Sequence, residues 1–187
     1  MFSMAAIVAV SLSFVRLGNA DLVPVPLDRQ AELLARVAAY DRNMAARAGD
    51  RVRVLLVTNE SDPESVGLVK RMEATLRSLP DIAGMAHEER MAPFTSGAEL
   101  AGQCRSQHIA IVYVGSGLAD KVRAIRSALD GGDVLTVAAV PEYVEAGIVL
   151  GFDLLSGKPK ILVHLSQARR QHVELRADLL KLAKVFE

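Results

Sequence analysis

Gly115-Ser116-Gly117 lies between an apolar run, His108 to Val114, and a segment with helical spacing. Backbone N–H groups at such a helix start can hold an anion, which makes Ser116 and Gly117 candidate ligand-binding residues. The third glycine of a dinucleotide fingerprint is absent, so the plainer reading is a tight turn with Ser116 as an ordinary N-cap. Cys104 and His108 stand four residues apart across an expected helix-to-strand boundary. Cys104 reads first as a small buried hydrophobe and second as a redox-sensitive thiol or an intermolecular disulfide partner. The histidines are His87, His108, His164 and His172. His87-Glu88-Glu89-Arg90 opens like a zinc-protease motif but has no second histidine at the required spacing, so no metal site is expected. Asp41, Asp62, Glu142 and Glu145 fall near loop ends or helix faces without a partner base. No Gly-x-Ser-x-Gly, phosphate-binding loop or kinase signature is present. Catalytic residues and cofactors are therefore not expected. Arg169-Arg170 reads as a solvated basic pair.

The elements that would position these residues follow from hydrophobic spacing. Val23-Pro24-Val25-Pro26 is an extended lead-in to a helix over Asp28–Arg47. Arg51 to Val57 reads as a strand whose second half is apolar on both faces, as in the centre of a parallel sheet. Asn59 begins the loop after it, at the end of the strand where ligands collect in open α/β sheets. Asp62-Pro63 then caps and starts a helix that runs to Ser78. An edge strand near Gly84–Met91 follows. Ser96-Gly97-Ala98-Glu99 is a capping box opening a helix to Ser106. The strand ending at Val114 leads into a helix with Leu118, Val122, Ile125 and Leu129 on one face, stopped by Gly131-Gly132. Another strand covers Asp133 to Val140. The strand–helix alternation predicts parallel strands with right-handed crossovers.

Ile148–Leu154 and Lys160–Leu165 flank Ser156-Gly157 and predict an antiparallel hairpin. Leu175, Leu179, Leu182 and Phe186 form one stripe of a helical tail. The expected fold is a three-layer α/β domain with a mostly parallel sheet, this hairpin and a closing C-terminal helix.

Composition bounds the function. The chain has 187 residues, 51% of them apolar, enough to bury a core. Basic and acidic residues number 22 each, so the basic excess of a nucleic-acid binder is missing. With one cysteine there is no intramolecular disulfide. Residues 1–20 carry an apolar run, Ala5 to Phe14, and end in Gly18-Asn19-Ala20, which suits a cleaved signal peptide with a mature start at Asp21. The expectation is export, with 21–187 as a single domain.

The stretch from Cys104 through His108-Ile109-Ala110-Ile111-Val112, Val134-Leu135-Thr136-Val137, Gly147, Ala168-Arg169-Arg170 and Leu179-Leu180-Lys181-Leu182-Ala183 resembles the YfiR-like family of periplasmic regulators. The resemblance extends over most of Leu27–Val185. His172 stands where that family usually has a glycine, and Asp41-Arg42-Asn43 where it often has Trp-Pro. The resemblance implies an exported α/β protein without a catalytic centre, acting by protein–protein contact. It implies a membrane-anchored signalling partner of the diguanylate cyclase type, held inactive, and homodimer formation. The family's disulfide role does not transfer to a single cysteine. The runner-up is a small-ligand domain similar to one lobe of a periplasmic binding protein, with the ligand near Asn59, Ser116 and Gly117.

Overall fold

The computed structural model describes residues 22–187. The expected signal peptide lies outside them. In chain order the elements are α1 (Leu27–Ala38), α2 (Met44–Ala48), β1 (Val52–Thr58), α3 (Pro63–Arg77), β2 (His87–Pro93), α4 (Gly97–Ser106), β3 (Ile111–Val114) and α5 (Val122–Leu129). They continue with β4 (Leu135–Ala138), α6 (Pro141–Glu145), β5 (Leu150–Leu155), β6 (Lys158–His164), α7 (Leu165–Arg170), α8 (Ala177–Leu182) and β7 (Lys184–Phe186).

The seven strands form one sheet in the order β2-β1-β3-β4-β5-β6-β7. β2, β1, β3, β4 and β5 are mutually parallel, β6 returns antiparallel to β5, and β7 lies parallel to β6. The α/β class, the mostly parallel sheet and the hairpin thus match the expectation from hydrophobic spacing. β3 and β4 are buried on both faces, because helices cover both sides. Register sets the faces. Leu56, Tyr113, Val137 and Leu150 are lateral neighbours on one side, and Leu55, Val112 and Thr136 on the other. On the first side Tyr113 donates its hydroxyl to Gln30 Oε1 of α1 (2.9 Å), and α3 packs beside α1. On the second, Thr136 donates to Gln171 Oε1 just after α7 (3.0 Å), while α4 and α5 pack together.

Three elements depart from the sequence reading. The first helix does not run from Asp28 to Arg47 but breaks between Ala38 and Met44. Asp41 is the cause: its carboxylate accepts the N–H groups of Asn43 (3.1 Å) and Glu174 (2.9 Å), competing with helix continuation. The helix after Gly117 begins only at Val122. The intervening Leu118 is buried, and its N–H donates to the Tyr143 hydroxyl at 2.9 Å. The tail is not one helix. α8 ends at Leu182, and Lys184–Phe186 turns extended to pair with Leu162–His164, satisfying part of the outer edge of β6. Leu182 is consequently exposed rather than part of an inner stripe.

Candidate functional site

The strand order reverses between β1 and β3, so the loops after these two strands diverge and form the crevice where open α/β sheets place ligands. Asn59 follows β1 and Gly115-Ser116-Gly117 follows β3, and the fold does bring them together. Asn59 Nδ2 donates to Gly117 O (2.8 Å), Ser65 Oγ donates to Ser116 O (2.6 Å), and Asn59 N donates to Ser65 Oγ (3.0 Å). The glycines are dictated by this closure. A Cβ on Gly115 would lie 2.5 Å from Val69 Cγ2 and 2.9 Å from Val57 O. Gly117 has φ +75°, and a Cβ there would meet Asp62 Oδ2 at 2.4 Å. Asp62 caps α3 by accepting from Glu64 N (2.9 Å), with Pro63 as first helical residue. Asn59 N and Nδ2, Ser116 O and Gly117 O are therefore bonded within the rim, and Ser116 is buried.

Cys104 sits on α4, remote from this rim, in the wall of a cleft of about 310 Å³ at the opposite end of the sheet. The cleft is bounded by the end of α4, His108, and the Asp130–Val134 loop that joins α5 to β4. Burial raises the Cys104 thiol to about 11, opposed only by the nearby Arg105 charge, which favours the unreactive protonated form. His108 takes φ +51° just past α4, where Ile109 N bonds back to Cys104 O at 3.0 Å. This is the left-handed helix-end position that glycine usually fills.

Behind the cleft is a buried ion pair that spacing did not reveal. Arg47, 2% exposed in its side chain, contacts Asp41, which is fully buried. Arg47 Nε also donates to Asp133 Oδ1 (2.8 Å) and Nη2 to His172 O (3.1 Å). His172 has φ +52° at the end of α7. That left-handed backbone is one glycine adopts more cheaply than histidine. The Asp41–Arg47 pair joins residues only six apart in a segment of helical spacing, and what the spacing hid is the break in that helix and the pair's distant contacts to Asp133, His172 and Glu174.

The remaining polar candidates make contacts within the fold. His87 Nδ1 lies 2.5 Å from Glu89 Oε1 on the edge strand β2. His164 caps α7, its Nδ1 accepting from Gln167 N at 3.3 Å. Glu145 lies 3.8 Å from Lys184. Arg170 faces Asp130 at 3.4 Å. Among the described residues no group of three or more His, Cys, Asp or Glu could hold a metal ion. No helix among them is long and apolar enough to cross a membrane.

A sheet of order β2-β1-β3-β4-β5 with loops gathered at a reversal point defines a doubly wound α/β domain. Three solved structures share this fold. One is an ABC domain in complex with L-Trp from Streptococcus pneumonia (TM-score 0.58, 14% identity, 87% of this chain and 62% of that one). Another is a conserved domain protein from Vibrio cholerae (TM-score 0.58, 13% identity, 87% and 60%). The third is a ligand-free, open substrate-binding protein with adhesive properties from Clostridium difficile (TM-score 0.59, 14% identity, 87% and 60%). The chain thus spans about three-fifths of their length, and at this identity the likeness is one of fold. No curated protein matches the sequence. The chain belongs to the YfiR/HmsC-like family, whose model matches residues 30–184.

Proposed function

We propose that this protein is an exported, non-enzymatic regulator that binds a membrane-anchored signalling protein of the diguanylate cyclase type and holds it inactive. The family match over residues 30–184 carries this reading. The surface supports it in kind. Leu155 at the hairpin tip and Leu182 at the end of α8 are each 64% exposed, with Leu154 and Val185 partly exposed beside them. Lys160 Nζ donates to Leu182 O (2.6 Å), which ties the hairpin to the end of α8. Register places Leu154 and Val185 on the same face of the sheet. Leu155 follows Leu154 in β5 and so points to the opposite face, and exposed apolar side chains at the hairpin tip suit a protein contact, either with the signalling partner or in a homodimer. Inhibition requires tighter binding to the inactive state of the partner than to the active one.

The test is crosslinked recovery of partners from envelope fractions, with circular dichroism on the same samples. Leu155→Glu keeps the wild-type spectrum and loses the partner. An unchanged recovery with both Leu155→Glu and a substitution of Asn59 counts against a contact through either surface. The second reading, a small ligand at Asn59, Ser116 and Gly117, draws support from the fold shared with a substrate-binding protein.

A further inference from the structure

The cleft beside Cys104 lies at the amino-terminal ends of the strands, opposite the rim that the strand order marks. Its volume, about 310 Å³, falls at the lower end of the range of small-molecule sites, about 300–1,000 Å³. Its inner wall is apolar, formed by Ile109, Leu129 and Val134, all buried, with Ala101 and Ala128 beside them. The polar lining divides into groups bonded within the protein and exposed groups left to solvent. Asp133 Oδ1 accepts from Arg47 Nε (2.8 Å), and Arg47 also holds Asp41 and His172 O. Asp130 Oδ1 accepts from Gln167 Nε2 (2.6 Å), and its Oδ2 faces Arg170 (3.4 Å). Both acids therefore have cationic or amide partners. Arg105 and His108 have none: neither side chain makes a hydrogen bond or ion pair with any described residue.

We infer that this cleft binds a small monocarboxylate with a compact apolar body, its carboxylate held by Arg105 with His108 at the rim and its body against Ile109, Leu129 and Val134. An unpaired guanidinium beside an apolar wall is complementary to that ligand. Its planar fork matches a carboxylate in two-point contact, and one such charge suits a singly charged anion better than a phosphate. The backbone at His108 points the same way. A non-glycine residue in the left-handed region is costly, and glycine would close the end of α4 more cheaply. A histidine held there gives up stability and places an imidazole at the mouth of the cleft.

That trade-off separates a ligand role from a structural one. The probe is phenylacetate, titrated calorimetrically into the full chain, with uncharged phenylacetamide as control. Phenylacetate binds saturably and phenylacetamide roughly tenfold more weakly, the loss expected for one charge-assisted contact. Arg105→Gln, at an exposed position, unfolds at the wild-type midpoint and loses affinity by roughly tenfold. His108→Gly binds less tightly while its thermal midpoint stays level or rises. Saturating phenylacetate also slows alkylation of Cys104 by iodoacetamide. No saturable binding up to about 10 mM, well above the concentration of a weak but specific site, overturns the inference. So does equal affinity for phenylacetamide, or an Arg105→Gln variant that binds as well as wild type. None of these outcomes depends on recovery of a protein partner.

Discussion

Asp41 holds three segments through one carboxylate. Its oxygens accept from Asn43 N and Glu174 N and face the Arg47 guanidinium, so the end of α1, the start of α2 and the approach to α8 meet there. With Asp41 neutralised, Arg47 keeps only the half-exposed Asp133 as an acid partner in a buried position. Asp41→Asn should then cost about 3 kcal/mol, at the lower end of what orphaning a buried charge costs. Urea unfolding checks it, with Asp50→Asn as control. Asp50 serves Arg51 and Arg53 at the surface, and its loss leaves the midpoint within error. An Asp41→Asn midpoint equal to wild type would show that the pair is not what closes the molecule at this end. Legibility at this scale depended on whether a residue acts locally. Asp62 and Ser96 could be read as caps because their partners are two or three residues away. Arg47 could not, because its contacts reach 125 residues along the chain to His172. Cys104 was read as a buried small side chain, and it is half-buried on α4; that it walls a cleft depends on a loop more than twenty residues further on.

α7 begins at a titratable cap. His164 Nδ1 must be unprotonated to accept from Gln167 N, and burial together with the Arg126 charge lowers its pKa from 6.5. A base with a lowered folded pKa contributes stability that is complete above the unfolded value and is lost as pH falls below it. The wild type should therefore lose stability from about pH 6.5 downward, until the lowered folded pKa is passed. His164→Asn retains a capping oxygen but does not titrate. Unfolding free energies measured between pH 7.5 and pH 5 should converge as the pH falls, because only the wild type loses this contribution. Parallel curves over that range would remove His164 from the pH dependence. The elements themselves were legible where burial on both faces left an unbroken apolar run, as in β1, β3 and β4. They were misread where a contact from elsewhere ended them. The tail had the spacing of one helix, yet a free edge on β6 recruited Lys184–Phe186 as a strand, and no pattern within residues 175–187 announces that edge.

On the scale of the whole molecule, the segment before α1 fixes how much of the chain can be removed. Val25 is fully buried, and Gln30 Nε2 donates to Val25 O (3.0 Å) while Gln30 Oε1 accepts from Tyr113 at the centre of the sheet. Gln30 Nε2 also approaches Ala139 O at 3.4 Å, beyond the end of β4. The lead-in at Val25 is therefore part of the packed domain, joined to β3 and β4 through one side chain. Leu22, three residues earlier, is 72% exposed. A processing site after Ala20 would leave every one of these contacts in place, whereas one beyond Val25 would remove a core side chain and leave the buried Gln30 Nε2 only its longer contact to Ala139 O. The mature chain should begin at Asp21. Protein starting at Asp21 should unfold cooperatively, and protein starting at Leu27 should be less stable by about 2–4 kcal/mol, from the lost burial of Val25 and the lost hydrogen bond between Gln30 and Val25 O. N-terminal sequencing of protein recovered from the periplasm of a native host settles the site itself. Recovery in the cytosol with Met1 intact would overturn export, and with it the contact to the extracytoplasmic part of a membrane-anchored partner. Equal stability of the two shortened proteins would instead show that the lead-in does not hold α1 to the sheet.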